Sequence, residues 1–262
     1  MNYSTIRITI REQTAWITLS RPSAMNAING EMLGELMSAL TIVEQSPEIL
    51  AMVLTGEGRA FCAGGDLADL LNGLEPRSDG SPDFLDRASA MFAKLRNLPK
   101  PVIGALNGIV MAGGLELALC CDVLFAADAV RIGDAHANFG VLPGGGGAAI
   151  LPRRVGLNMA KYLLFSGKAL PASEFIASGF IKEVVPAERL TESVVEFVKV
   201  VIAKSPIALR RMKLLANAAM DQAVDQALRH EQLVLRQHLR SHDMSEGLAA
   251  FREKRTPEFK GY

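Results

Sequence analysis

"KPVIGALNGIVMAGGLELALCCDVLFAAD", Lys100 to Asp128, runs from a wholly apolar segment through a small-residue turn into a second apolar segment and then a third. "KPVIGALNG" reads as a strand buried on both faces, as in a parallel sheet, because an uninterrupted apolar run leaves no solvent face. "MAGGLELALCC" then starts a helix, and "DVLFAA" and "VRIGDA" read as two more strands. Upstream, "ILAMVLTG" (49–56) has the same buried-strand character and leads through "GRAFCAGGDLADL" (58–70), a loop running into a helix.

Further out the pattern changes. "IRITIRE" and "AWITLS" alternate as two strands joined by a turn at Glu12–Thr14. "RPSAMNAING" is a loop. Residues 30–46 carry Met32, Leu33, Leu36, Met37, Leu40 and Val43 at helical spacing. Residues 72–82 hold Gly, Pro, Ser and Asp in quick succession and read as exposed and mobile. "RLTESVVEFVKVVIAK" (189–204) is a helix. From Ser205 on, the chain is helical and charged, with Pro206 at a first-turn position. The order is therefore α/β units followed by helices alone, with a boundary near Lys199–Ser205.

Composition limits the function. The 262 residues carry 28 Lys plus Arg against 28 Asp plus Glu, so the balance does not suggest a nucleic-acid surface. At 49% hydrophobic the chain has a sizeable core, and its neutrality favours self-association. Cys62, Cys120 and Cys121 form no disulfide framework and offer no metal-ligand spacing; they read as small core residues. With no signal-peptide layout at the N-terminus and no membrane-length apolar run, the expectation is a cytoplasmic protein of a reducing compartment, not bound to a membrane.

Two segments carry chemistry. "AFCAGGDL" and "MAGGLELA" each pass from a strand through small residues into a helix, whose N-terminus presents free N–H groups. Two such turns could aim Gly65 and Gly113 at one oxygen as an oxyanion hole, or be ordinary strand-to-helix turns. Glu116 lies one helical turn past Gly113 among Leu115, Leu117, Ala118, Leu119 and Cys120. A carboxylate there is either a general acid–base group with a raised pKa or a complement to the helix dipole.

These motifs, with "GVLPGGGG" and "FREKRTPEF", resemble the crotonase superfamily, the enoyl-CoA hydratase/isomerase fold. The similarity runs from "WITLSRPSAMNAI" to "FREKRTPEF", with the motifs in order. It implies a spiral of ββα units over 1–200, a helical trimerisation region over 201–262, and a homotrimer or dimer of trimers. The substrates implied are acyl-coenzyme A thioesters, with no metal or redox cofactor because coenzyme A belongs to the substrate. The matched positions make Gly65 and Gly113 the two oxyanion amides and Glu116 the first of the hydratases' two catalytic glutamates. Arg21, Ser23, Met25, Ala63, Asp66 and Leu67 match segments along the coenzyme A. Phe251 and Lys254 match C-terminal positions that reach a nucleotide, in some members across a subunit interface. Val141–Pro143 and the glycines from Gly144 match a loop at the acyl end of the pocket.

The departure is at His136, twenty residues after Glu116, where the hydratases carry their second glutamate. An imidazole titrates near neutrality, with a usual pKa of ~6.5, so it can give or take a proton. Three readings stand: hydration by Glu116 with His136, a changed reaction such as isomerisation or thioester or C–C hydrolysis, or a site that binds acyl-CoA without turnover. Asp134 would reach the same side as His136 if 132–136 is extended, and could orient the ring; the two could equally form a structural pair. Gly144–Gly147 fit neither a Walker loop nor GxGxxG. His230, His238 and His242 read as solvated, Trp16 as packed on a strand face, and Arg153–Arg154 as an exposed pair or an interface contact.

Overall fold

The computed structural model describes residues 3–72 and 81–262. Strands β1 (Ile6–Arg11) and β2 (Thr14–Leu19) form the expected antiparallel hairpin, with Glu12 and Gln13 both at positive φ in the turn. Helix α1 (Gly30–Gln45) is capped by Asn29, whose side chain accepts from the Met32 amide. It buries Met32, Leu33, Leu36, Leu40 and Val43, while Met37 is half-buried.

The chain then alternates between two sheets. Strand β3 (Ala51–Gly56) is followed by β4 (Ala60–Cys62), then helices α2 (Leu67–Asn72) and α3 (Phe84–Arg96). Strand β5 (Val102–Leu106) is followed by β6 (Ile109–Met111) and helix α4 (Gly113–Leu119). Strand β7 (Val123–Ala127) is followed by β8 (Arg131–Gly133). After helices α5 (Leu151–Val155) and α6 (Leu157–Ser166) come the short strands β9 (Ala169–Pro171) and β10 (Glu183–Val185). One sheet has the order β1-β2-β3-β5-β7-β10 and the other β4-β6-β8-β9. Each successive strand pair thus adds one strand to each sheet, which is what winds ββα units into a spiral. β3, β5 and β7 are parallel neighbours. β5 is buried throughout and β3 over its first four residues, as their unbroken apolar runs require.

The C-terminal part is helical as expected: α7 (Leu190–Ile202), α8 (Pro206–Ala219), α9 (Val224–His238) and α10 (His242–Glu253). Ser205 caps α8 with Pro206 at its first position, the pairing that the sequence signals. Asp243, buried on α10, accepts from Ser205 Oγ at 2.6 Å and from the Lys260 amide at 2.7 Å, so it ties the chain end to the start of α8.

Several expectations change. Met111 belongs to β6 and not to the following helix, because it pairs with Gly133 and the chain turns at Ala112, φ 48°. The strand expected over "VRIGDA" stops at Gly133. Helices α3 and α6 had no counterpart in the sequence reading. The stretch read as exposed and mobile lies, over 73–80, outside the described residues. The three tail histidines are not simply solvated: all are half-buried, His238 Nδ1 lies 2.7 Å from Arg211 Nη1, and His242 packs on Tyr262. Cys62, Cys120 and Cys121 are free and buried, and Trp16 is buried under Arg11. Arg153 pairs with Asp221, while Arg154 lies over the Phe180 ring.

Candidate active site

The two strand-to-helix turns meet. Gly114 packs α4 against β4 so closely that a β-carbon there would overlap the Cys62 carbonyl. A β-carbon on Gly113 would lie 3.3 Å from the Gly65 nitrogen, so the two glycines are neighbours. Gly65 forms a parallel bridge with Ile28, and its bonds are made by the flanking Gly64 carbonyl and Asp66 amide, leaving Gly65 N–H outside the pairing. Gly113 N–H opens α4 with no acceptor before it. Neither amide has an acceptor among the described residues. Two adjacent unpartnered donors at a helix start can hold one developing oxyanion.

Glu116 sits one turn further along α4, only 4% exposed. Its Oε1 accepts from the Gly145 amide at 2.6 Å and the Gly147 amide at 3.1 Å. Burial pushes its pKa up, against the lowering effect of the two amides and the His136 charge; Asp134 adds to the rise.

The glycine run now has reasons that the sequence does not disclose. A β-carbon at Gly145 would lie 2.5 Å from Phe92 and 2.9 Å from Glu116 Oε2. One at Gly147 would lie 2.6 Å from Pro143 and 2.9 Å from Asp134 Oδ2. Gly146 adopts φ +128°, a conformation that side chains disfavour. Gly144 alone is in open space. With Gly145 and Gly146 it lines a cavity of about 960 Å³ that also touches Phe92, Cys120 and Lys213. Glu116, His136, Gly65 and Gly113 do not line that cavity, so its size alone would mislead.

Asp134 and His136 do meet, but through a turn and not through an extended strand. Ala135 is left-handed, φ 62°, and brings Asp134 Oδ2 to 3.0 Å from His136 Nδ1. Asp134 Oδ1 also accepts the His136 amide at 3.3 Å. Burial would lower the His136 pKa, but the Asp134 bond and charge and the Glu116 charge raise it. Glu116 Oε2 and His136 Nε2 have no partner among the described residues. No buried side-chain polar atom there lacks one, so both atoms open on solvent.

The residues matched to coenzyme A gather at a rim beside Gly65. Arg21 donates to the Ala27 carbonyl at 2.5 Å and to Asp66 at 3.1 Å. Met25 is left-handed and its carbonyl accepts from the Ala63 amide at 3.0 Å. Ser23 and Leu67 are exposed. Phe251, 84% exposed, and Lys254 stand at the end of α10, and no hydrogen bond or ion pair joins them to this rim among the described residues. Asn26, missed by the sequence reading, is fully buried and donates to the Glu57 and Ala60 carbonyls at 3.0 and 2.8 Å, locking the rim to β4. Its only sequence signal was a small polar residue inside a loop. No cluster of three or more His, Cys, Asp or Glu among the described residues could hold a metal ion. Burial pushes the Cys62 and Cys120 thiols up to about 12, so they stay protonated near neutrality.

The whole chain is similar to known proteins. A sequence profile described as enoyl-CoA hydratase/isomerase matches residues 9–262. The chain is 36% identical over 259 residues to a probable enoyl-CoA hydratase, echA8, of Mycobacterium bovis, covering 99% of each. It is 35% identical over 262 residues to a crotonyl-CoA hydratase of Syntrophomonas wolfei, again covering 99% of each. A crystal structure of an enoyl-CoA hydratase from Bacillus anthracis matches with TM-score 0.92 at 31% identity, over 99% of this chain and 100% of that one.

Proposed function

The chain belongs to the enoyl-CoA hydratase/isomerase family and is a hydro-lyase of enoyl-CoA hydratase type; we propose how its own residues carry out that reaction. Water adds across the double bond of a 2-enoyl-CoA: its oxygen bonds to C3, the π electrons move through C2 onto the thioester oxygen, and C2 is then protonated. Gly65 and Gly113 donate to that oxygen as charge builds on it. A lost donor of this kind typically costs ~10²–10³ in rate.

Glu116 and His136 handle the two protons. Both pKa values lie above the ordinary ones, and each charge favours the other. The reaction uses the pair with the carboxylate ionised and the imidazole charged. Glu116 Oε2 takes a proton from the attacking water, and His136 Nε2 gives one to C2. The observation that carries this reading is that both atoms are unpartnered and open while the rest of each group is held in place.

Arg21, Ser23, Met25, Ala63, Asp66 and Leu67 would line the coenzyme A, which arrives as part of the substrate; no resident cofactor is invoked. Helices α8 and α9 bury no residue completely, and Met212, Leu214, Val224 and Leu233 are exposed on them. This supports assembly through residues 201–262 as a homotrimer or dimer of trimers, with Phe251 and Lys254 reaching a nucleotide across the interface. Three free, buried thiols fit a reducing, cytoplasmic setting.

The test follows the enoyl-thioester absorbance of a short 2-enoyl-CoA with purified protein. Loss of the band with a 3-hydroxyacyl-CoA product by mass supports the proposal. Tight binding of short, branched and dicarboxylic 2-enoyl-CoAs without loss of the band would overturn it and favour a binder.

A further inference from the structure

We propose that Asp134 is a positioning residue for His136, committing Nδ1 to hold a proton permanently so that Nε2 is the atom that exchanges protons with the substrate; this rests on the hydration reading above. Asp134 is 1% exposed, and its two oxygens have separate tasks. Oδ1 accepts the His136 amide at 3.3 Å, and Oδ2 lies 3.0 Å from His136 Nδ1. A carboxylate can only accept, so Nδ1 carries the hydrogen of that bond.

The local backbone is shaped for this contact. Ala135 occupies the left-handed region, uncommon for a residue with a side chain, and this is what brings residues 134 and 136 together. The loop opposite supports it as well. Gly147 gives its amide to Glu116, and its missing side chain leaves room for Asp134 Oδ2. One glycine therefore seats both carboxylates of the site. Among the described residues His136 is the one residue whose side chain bonds to Asp134, and a buried carboxylate without a partner is unfavourable.

A residue that merely stapled the turn would need Oδ1 alone, and Asp134→Asn separates the two roles. Asparagine keeps Oδ1 for the amide but turns an NH₂ donor toward Nδ1. The neutral ring must then accept at Nδ1 and carry its hydrogen on Nε2, where it is a poor acid.

The experiment combines kinetics with ¹⁵N spectra of the imidazole in the full-length protein. In the wild type, recorded well above the imidazole titration, the neutral ring should carry its hydrogen on Nδ1; in Asp134→Asn it should move to Nε2. The variant should lose roughly 10²-fold in kcat with KM nearly unchanged, the scale of a general acid. In a His136→Ala background the same substitution should cost nothing further, because Asp134 acts only through His136. A wild-type ring with its hydrogen on Nε2 overturns the proposal, as does an equal loss in the His136→Ala background. If the wild type hydrates no enoyl-CoA, the hydration reading fails while the spectra still decide the role of Asp134. The wild-type spectrum alone decides it if Asp134→Asn does not fold.

Discussion

The Gly145 amide donates to Glu116 Oε1 at 2.6 Å, and the missing Gly145 side chain leaves the space that Glu116 Oε2 faces. Holding the carboxylate and making room for it are thus both done at one position. Gly144, one residue earlier, meets no atom within 4 Å of where its β-carbon would be. Gly145→Ala should therefore lower kcat by at least ~10-fold and destabilise the fold by about 1–3 kcal/mol, the usual scale for overpacking. Gly144→Ala should change Tm little. Steady-state kinetics and thermal melts of the two variants make the comparison, and equal tolerance at both positions would sink it.

Glu116→Gln keeps a carbonyl oxygen for the two amides and removes the base. Turnover should fall by ~10²–10⁴ while affinity for an enoyl-CoA stays within a few-fold. Calorimetric binding beside turnover checks this; hydration at the native rate would remove Glu116 from the mechanism.

The two raised pKa values set the pH profile. Activity needs Glu116 ionised and His136 charged, so kcat/KM should be bell-shaped. Its acid limb should lie above the ordinary glutamate value of 4.5 and its alkaline limb above the ordinary imidazole value of 6.5. His136→Ala should abolish the alkaline limb. A profile for that variant that still falls at high pH as the wild type does would contradict the role.

Stability should follow the same groups. Folded Glu116 holds its proton more tightly than the unfolded chain does, so between its ordinary and raised values the unfolded state binds fewer protons and stability falls as pH rises. The His136 contribution is fully present below its unfolded value and is lost as pH rises through its raised folded value. Urea unfolding from pH 4 to 9 should show the wild type losing stability with rising pH relative to a Glu116→Gln, His136→Ala double variant.

Gly113→Ala places a methyl group 3.3 Å from both the Gly65 nitrogen and Ile28 Cδ1, over the neighbouring donor. It should cost ~10²–10³ in kcat, like the loss of an oxyanion donor. Gly65→Ala meets nothing within 4 Å and should melt like the wild type. Unchanged kcat in Gly113→Ala would dismiss these amides as the oxyanion site.

Local chemistry and pattern are legible in one dimension. The unbroken apolar runs of β3 and β5 require two covered faces, and Ser205–Pro206 announces a helix start. The turn before α4 puts Glu116 one helical turn past Gly113, because helix geometry links residues three apart. The spacing to His136 was likewise readable, since it lies along the chain. What the sequence left open depends on contacts between distant residues. The amides that hold Glu116 come from 29 and 31 residues further on. Asn26 reaches carbonyls 31 and 34 residues away. The meeting of Asp134 with His136 turns on one left-handed alanine, a backbone state that the residue type itself disfavours. Periodicity thus determined the long buried strands and the helices α1 and α7, and the family resemblance picked out the reactive groups. The tertiary structure decided which way each pKa moves and which atoms stay free, because burial and partner geometry exist only once the two sheets and the glycine loop have closed around Glu116.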